Sequence, residues 1–149
     1  MSYTRLLYHI VFRTKNSLDT IPEKHEKELY AYIMGIANNK KSKLYRIGGV
    51  PNHIHMLVDI HPSFPVTDFM KELKCYSSKW LSTKSNFPDF TGWAVSFAAF
   101  SYNINDKQTI INYIINQKEH HINVSFEDEY RQLLIENGED IDERYFLKD

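Results

Sequence analysis

A single cysteine, Cys75, means that the chain can close no internal disulfide and cannot build a four-cysteine zinc site. Cys75 itself reads as a half-buried helix residue rather than a catalytic thiol. No charged-then-apolar leader opens the sequence, and no apolar run approaches membrane-spanning length, so the cytoplasm is the expected compartment. No repeat, low-complexity tract or Pro/Gly/Ser linker divides the chain. Residues 1–149 therefore read as one domain, large enough to bury a continuous core. Acidic residues are missing from one long window, between Asn38 and Val58, into which Lys40, Lys41, Lys43 and Arg46 fall. They gather instead at the end: residues 125–149 hold nine acidic against three basic side chains, a balance of −6. With an overall charge of −1, residues 1–124 carry +5. A basic body of this kind can hold a phosphate backbone, although the same pattern also suits a solvated surface.

What is present is a rich supply of Tyr and Phe in an otherwise ordinary globular composition. Residues 3–12 lack helical spacing and read as a strand. Thr20-Ile21-Pro22-Glu23 resembles a capping box with Pro in the first turn, and the helix after it carries Leu29, Ile33, Ile36 and Ala37 on one face. A short strand over 43–47, a turn at Gly48-Gly49-Val50-Pro51 and a strand over 53–60 follow. Residues 66–81 form a helix with a stripe of Phe69, Met70, Leu73 and Trp80. After a loop at 86–92 comes a strand over 93–102. Asn105 is placed to cap a helix over 106–117, and Ser125 to cap another that stops before Gly138. The order β-α-β-β-α-β plus two helices predicts an α+β, ferredoxin-like split βαβ: an antiparallel sheet with helices on one face and further C-terminal helices.

Two constellations carry chemistry. Alternation along the strand sends Ile54, Met56, Val58 and Ile60 to one side and His53, His55, Leu57, Asp59 and His61 to the other. The Cα atoms of His53 and His55 lie roughly 7 Å apart at that rise, close enough for two neutral imidazoles to share a divalent cation. His-x-His is a short pattern and most such pairs hold no metal, so spacing alone leaves both readings open. Asp59 and His61 share the face but read as solvated. His9, His25, His120 and His121 read as surface or core histidines. On the helix over 106–117, Tyr113 and Gln117 are neighbours four residues apart. Gln offers a carbonyl oxygen to a metal and Tyr a phenolic nucleophile, which at an ordinary pKa near 10 needs activation. Spacing does not single out Tyr113 among the ten tyrosines, and a packing role stands beside the catalytic one.

In combination these segments resemble the bacterial single-tyrosine HUH transposases, including the REP-associated tyrosine transposases. The resemblance spans essentially the whole chain: Leu7-Tyr8-His9-Ile10-Val11-Phe12, Pro51-Asn52-His53-Ile54-His55-Met56-Leu57-Val58, Lys71-Glu72-Leu73-Lys74 with Ser77-Ser78-Lys79-Trp80, the run from Tyr113 to His121, Phe126-Glu127-Asp128-Glu129-Tyr130 and Asp142-Glu143-Arg144-Tyr145. Asn52 stands where Asp is more usual, and residues 93–100 lack the glycines expected between that strand's aromatics. The resemblance implies that His53, His55 and Gln117 bind Mg²⁺ or Mn²⁺, and that Tyr113 attacks a DNA phosphodiester to leave a 5′-phosphotyrosine and a free 3′-hydroxyl. It implies a single-stranded, hairpin-containing DNA partner, no nucleotide cofactor, and a homodimer in which the tyrosine helix can complete the partner's site. Lys40, Lys41, Lys43, Arg46, Lys71, Lys74 and Lys79 are candidates for backbone contact. Two other functions are weighed: an inactive, domesticated DNA-hairpin binder, and a metal-dependent hydrolase. The absence of a carboxylate beside the histidines, other than Asp59, speaks against the hydrolase.

Overall fold

The computed structural model describes residues 2–149. Four strands, β1 (Leu7–Thr14), β2 (Lys43–Val50), β3 (His53–Asp59) and β4 (Trp93–Ser101), form one antiparallel sheet in the order β2-β3-β1-β4. The helix α1 (Glu26–Asn39) connects β1 to β2 and α2 (Val66–Ser82) connects β3 to β4. The β3 strand sits between β1 and β2, which is the split βαβ arrangement expected from the element order. No described helix is long and apolar enough to cross a membrane.

One sheet face buries Ile10, Phe12, Ile54, Met56 and Val58 against Leu29 and Ile33 of α1 and Phe69, Met70 and Leu73 of α2. The opposite face is covered as well. Here α3 (Lys107–Ile115), α4 (Gln117–Asn123) and α5 (Phe126–Glu136) follow β4. Ile110 and Ile114 of α3 pack on Leu7 and Leu57, while Phe126 and Leu133 of α5 pack on Val11, Ala98 and Phe100. The histidine face of β3 is thus an interior surface, and every residue from His53 to Val58 is buried.

Several local readings change. Thr20 forms no capping box: its hydroxyl is buried without a partner, Pro22 keeps the chain extended, and a 3₁₀ turn at Glu23–His25 precedes α1. Asn103, not Asn105, accepts the capping hydrogen bond ahead of α3. Ser125 caps α5 as expected, and the helix ends before Gly138 at φ +76. Cys75 is exposed on α2 rather than half-buried. The single helix expected over 106–117 breaks at Asn116.

Gly48 and Gly49 lie inside β2 instead of in a turn, which falls at Pro51 and Asn52. A Cβ on Gly48 would stand 3.1 Å from the Ile114 side chain and 3.2 Å from the Ile114 carbonyl, so this glycine lets α3 approach the sheet. A Cβ on Gly49 would come within 2.2 Å of the His53 carbonyl. Gly49→Ala is therefore expected to shift the β2–β3 turn and to destabilise the fold by about 2 kcal/mol, within the range for overpacked interiors. Urea unfolding checks this; an unchanged midpoint would contradict the tight fit.

The segment after Gly138 folds back on its own domain. Phe146 stacks on Tyr130 and lies 4.0 Å under the Arg131 guanidinium, and Arg131 pairs with Glu143. Asp149 pairs with the buried Arg13 at 2.8 Å.

Candidate metal and nucleophile site

The β3 strand presents His53 and His55 to the α3–α5 side, where three helices deliver polar groups to one point. Glu129, on the buried stripe of α5 with Phe126 and Leu133, places Oε1 3.2 Å from Nε2 of both histidines. Gln117, the first residue of α4, holds Oε1 3.3 Å from His53 Nε2 and donates from its amide nitrogen to Glu129 Oε2 at 2.8 Å. His121, one turn further along α4, has Nε2 3.0 Å from both Gln117 Oε1 and Glu129 Oε1. The Tyr113 hydroxyl, on α3, donates to Glu129 Oε2. His53, His55 and Glu129 each offer a ligand atom within 4.8 Å of the others, and all three are buried.

The protons in this cluster can be placed from the hydrogen bonds. Asn52 turns its Oδ1 to His53 Nδ1 at 2.7 Å while its amide nitrogen faces the Ser17 carbonyl. A carbonyl oxygen only accepts, so His53 carries its proton on Nδ1 and offers a bare lone pair at Nε2. Asn52 in place of Asp therefore still orients the ring. Burial, with the neighbouring His55 acting the same way, lowers the His53 pKa to about 4 against the pull of Glu129, which keeps it neutral. His121 Nδ1 donates to the Val124 carbonyl at 2.7 Å. Burial would lower its pKa, but the hydrogen bond to Glu129 wins and raises it. Burial alone would likewise raise Glu129, yet the imidazoles against it, His121 first and then His53 and His55, hold its carboxyl far below the usual range.

A bare nitrogen on His53 faces two oxygens, Gln117 Oε1 and Glu129 Oε1, and His121 Nε2 stands 3.0 Å from both. Lone pairs converging on one buried point are the donor set of a cation site, and a divalent ion fits them. Tyr113 is pushed well above the ordinary phenol range, first by burial and then by Glu129, so it holds its proton and needs an acceptor to act as a nucleophile.

His53, His55, Tyr113 and Gln117 are brought together across a sheet strand and two helices. Tyr113 faces the cluster because Ile110 and Ile114 take the core side of α3, while Ile115 is exposed. His9 and His121, expected as surface or core histidines, both stand at the site: His9 Nε2 lies 2.8 Å from His55 Nδ1. The expectation that no carboxylate other than Asp59 lies beside the histidines is overturned by Glu129. Asp59 itself pairs with Arg5, and His61 bonds Ser63. One signal in the sequence pointed to Glu129: a carboxylate on the apolar stripe that Phe126 and Leu133 define.

The basic residues divide. Lys40 is buried in an ion pair with Glu72 and over the Phe64 ring, and Lys74 donates to the carbonyls of Ala94, Val95 and Ser96. Both ammonium groups are engaged within the fold, which removes them as free phosphate contacts. Lys41, Lys43, Arg46, Lys71 and Lys79 are exposed. Lys43 pairs across from Asp59, at the end of β3 remote from His53, roughly 20 Å away at strand rise.

A profile described as "Transposase IS200 like" matches residues 2–117, well over half of the chain. The chain belongs to the IS200-like transposase family. Among solved structures, a transposase described as putative, from Deinococcus radiodurans R1, is similar at 22% identity and TM-score 0.60, covering 78% of this chain and 93% of the other. A REP-associated tyrosine transposase bound to a REP hairpin is similar at 14% identity and TM-score 0.61, over 81% and 72% of the two chains. These likenesses establish a shared fold. No protein of curated function matches the chain. The family match ends at Gln117, so it takes in His53, His55, Tyr113 and Gln117 but neither His121 nor Glu129.

Proposed function

We propose that this IS200-like transposase cleaves and rejoins single-stranded DNA at hairpins, with Tyr113 as nucleophile and a divalent ion held by His53, His55, Gln117 and Glu129. The observation that carries the reading is the shared carboxylate: Glu129 turns Oε1 to the histidines and accepts from the Tyr113 hydroxyl through Oε2. When bound, the ion would polarise the scissile phosphate and stabilise charge in the transition state. Mn²⁺ suits this imidazole-rich set better than Mg²⁺, which prefers oxygen ligands.

The chain's own residues account for the proton. As Tyr113 Oη attacks phosphorus, its hydrogen passes by way of Glu129 Oε2 to solvent, because a carboxyl held this far below its usual range relays the proton rather than keeping it. The bond from phosphorus to the 3′ oxygen breaks, and the departing 3′ oxyanion takes a proton from solvent water to become the 3′-hydroxyl. The 5′-phosphotyrosine keeps the phosphodiester energy, so a later 3′-hydroxyl, giving its proton to solvent, can displace Tyr113 without a nucleotide cofactor. Glu129 then relays a proton back to the phenol. The proposed assembly is a homodimer in which each copy uses its own Tyr113, because the site needs no residue from a second copy. The DNA backbone is assigned to Lys41, Lys43, Arg46, Lys71 and Lys79.

Glu129 beside the histidines also favours a second reading, a metal hydrolase in which the carboxylate directs water. One variant separates the two. With labelled single-stranded DNA hairpins and Mn²⁺, the wild type is expected to form a denaturation-resistant protein–DNA adduct. Tyr113→Phe is expected to lose it while still binding the hairpin. Cutting that continues in Tyr113→Phe, without an adduct, would favour the hydrolase; hairpin binding with no cutting by the wild type would favour an inactive binder.

A further inference from the structure

His55 is held differently from His53. The group behind His53 is a carbonyl oxygen, which fixes the proton. The group behind His55 is a second imidazole, His9, whose Nε2 can either donate or accept. Both rings are fully buried and lie edge to edge, with centroids 5.1 Å apart and planes inclined by 25°, and the Tyr113 ring meets His9 edge-on at 5.8 Å. The other ring nitrogen of His9, Nδ1, is buried with no hydrogen-bond partner.

Two neutral rings joined in this way have two arrangements. In the first, His9 Nε2–H donates to His55 Nδ1, and His55 Nε2–H donates to Glu129 Oε1 at 3.2 Å. His9 Nδ1 is then a bare lone pair. In the second, both protons have moved across their rings: His55 Nδ1–H donates to His9 Nε2, His55 Nε2 is bare, and His9 Nδ1 carries an N–H with no acceptor. Each ring is neutral in both, so no proton is gained or lost. Only the second arrangement leaves His55 Nε2 free to ligate. Without an ion the first is favoured, since it satisfies Glu129 and avoids an orphaned buried donor.

We propose that His9 is a positioning residue for the metal site, accepting from His55 Nδ1–H through Nε2 when an ion is bound and returning that hydrogen bond when it is absent. The inference rests on the metal reading of His53, His55 and Glu129. It makes His53 the ligand preset for binding and His55 the one switched by it.

Mn²⁺ titration of the purified protein, followed by calorimetry, tests it. His9→Phe keeps a ring but removes the acceptor, and is expected to weaken Mn²⁺ binding by about 10–100-fold, the usual effect of losing such a partner. His9→Gln supplies an acceptor oxygen at similar reach and is expected to restore binding to within about threefold of wild type. Equal affinity in wild type and His9→Phe overturns the proposal. So does a folded His9→Gln as weak as His9→Phe, because the loss then follows from packing alone. His53→Ala separates this failure from that of the underlying reading. If the wild type does not bind Mn²⁺, or His53→Ala binds as well as wild type, the metal site itself is wrong and His9 falls with it. A second measurement needs no variant. Nitrogen-15 spectra of the imidazoles are expected to place the His55 proton on Nε2 in metal-free protein and on Nδ1 after addition of diamagnetic Zn²⁺. A proton already on His55 Nδ1 before any ion is added contradicts the proposal.

Discussion

Glu129→Gln is expected to slow adduct formation on single-stranded DNA at least about 100-fold while leaving hairpin affinity nearly unchanged, the scale on which proton transfer by a placed side chain contributes. The substitution is close to isosteric, so the effect comes from chemistry. It removes the negative ligand from a point where His53 Nε2 and Gln117 Oε1 also converge. It also removes the acceptor of the Tyr113 proton, on a phenol that its surroundings already make a poor acid. His121, whose pKa is raised by Glu129 against the effect of burial, should fall when the carboxylate is gone. Single-turnover adduct assays measure the rate, and an NMR titration of His121 reports whether the charge was lost as intended. A rate within threefold of wild type, with His121 shifted down, would show that Glu129 takes no part in the chemistry.

In metal-free buffer the protein should lose stability steeply as the pH falls from 6.5 towards 4. His53 is neutral in the fold down to about 4, and burial with the nearby His55 holds His9 neutral to about 3. Unfolded, both take up a proton below about 6.5, so the unfolded state binds more protons throughout this window and stability rises with pH. Two such protons correspond to a slope of about 2.7 kcal/mol per pH unit at its steepest. Glu129 acts elsewhere: its carboxylate contributes stability above its unfolded value, lost only as pH falls through a folded pKa far lower still. His121 has the opposite sign, its contribution being complete below about 6.5 and lost as pH rises through its raised folded pKa. Urea unfolding at successive pH values reads the slope, and a flat profile between 6.5 and 4.5 would mean that the two buried imidazoles are not held neutral.

The sheet was legible because strand and helix periods differ, and the turns between them are marked by Pro and Gly. Alternation in β3 placed His53 and His55 on one side, and the structure keeps them there. Periodicity carried no information about what covers that side. α3, α4 and α5 reach it only through long-range packing, so His9 and His121, which read as surface or core histidines with no partner, stand at the site, His9 buried and His121 half-buried. Gly48 and Gly49 read as a turn because local sequence cannot register the approach of Ile114, 66 positions away from Gly48. The helix break at Asn116 was equally silent, since Tyr113, Gln117 and His121 keep a spacing of four across it. Lys40 and Lys74 were read from charge alone, whereas Glu72 and the β4 carbonyls, which engage them, come from other elements.

The site's central claim is that the Tyr113 oxygen becomes joined to DNA, and mass spectrometry of a trypsin-digested adduct addresses it at the level of the atom. Cleavage after Lys107 and Lys118 releases a peptide, residues 108–118, whose one tyrosine is Tyr113. With the DNA trimmed by nuclease, a nucleotide linked through its 5′ phosphate is expected on that peptide and on that side chain. A nucleotide found instead on Tyr102 or Tyr130, or cleaved DNA with no modified peptide, would contradict it.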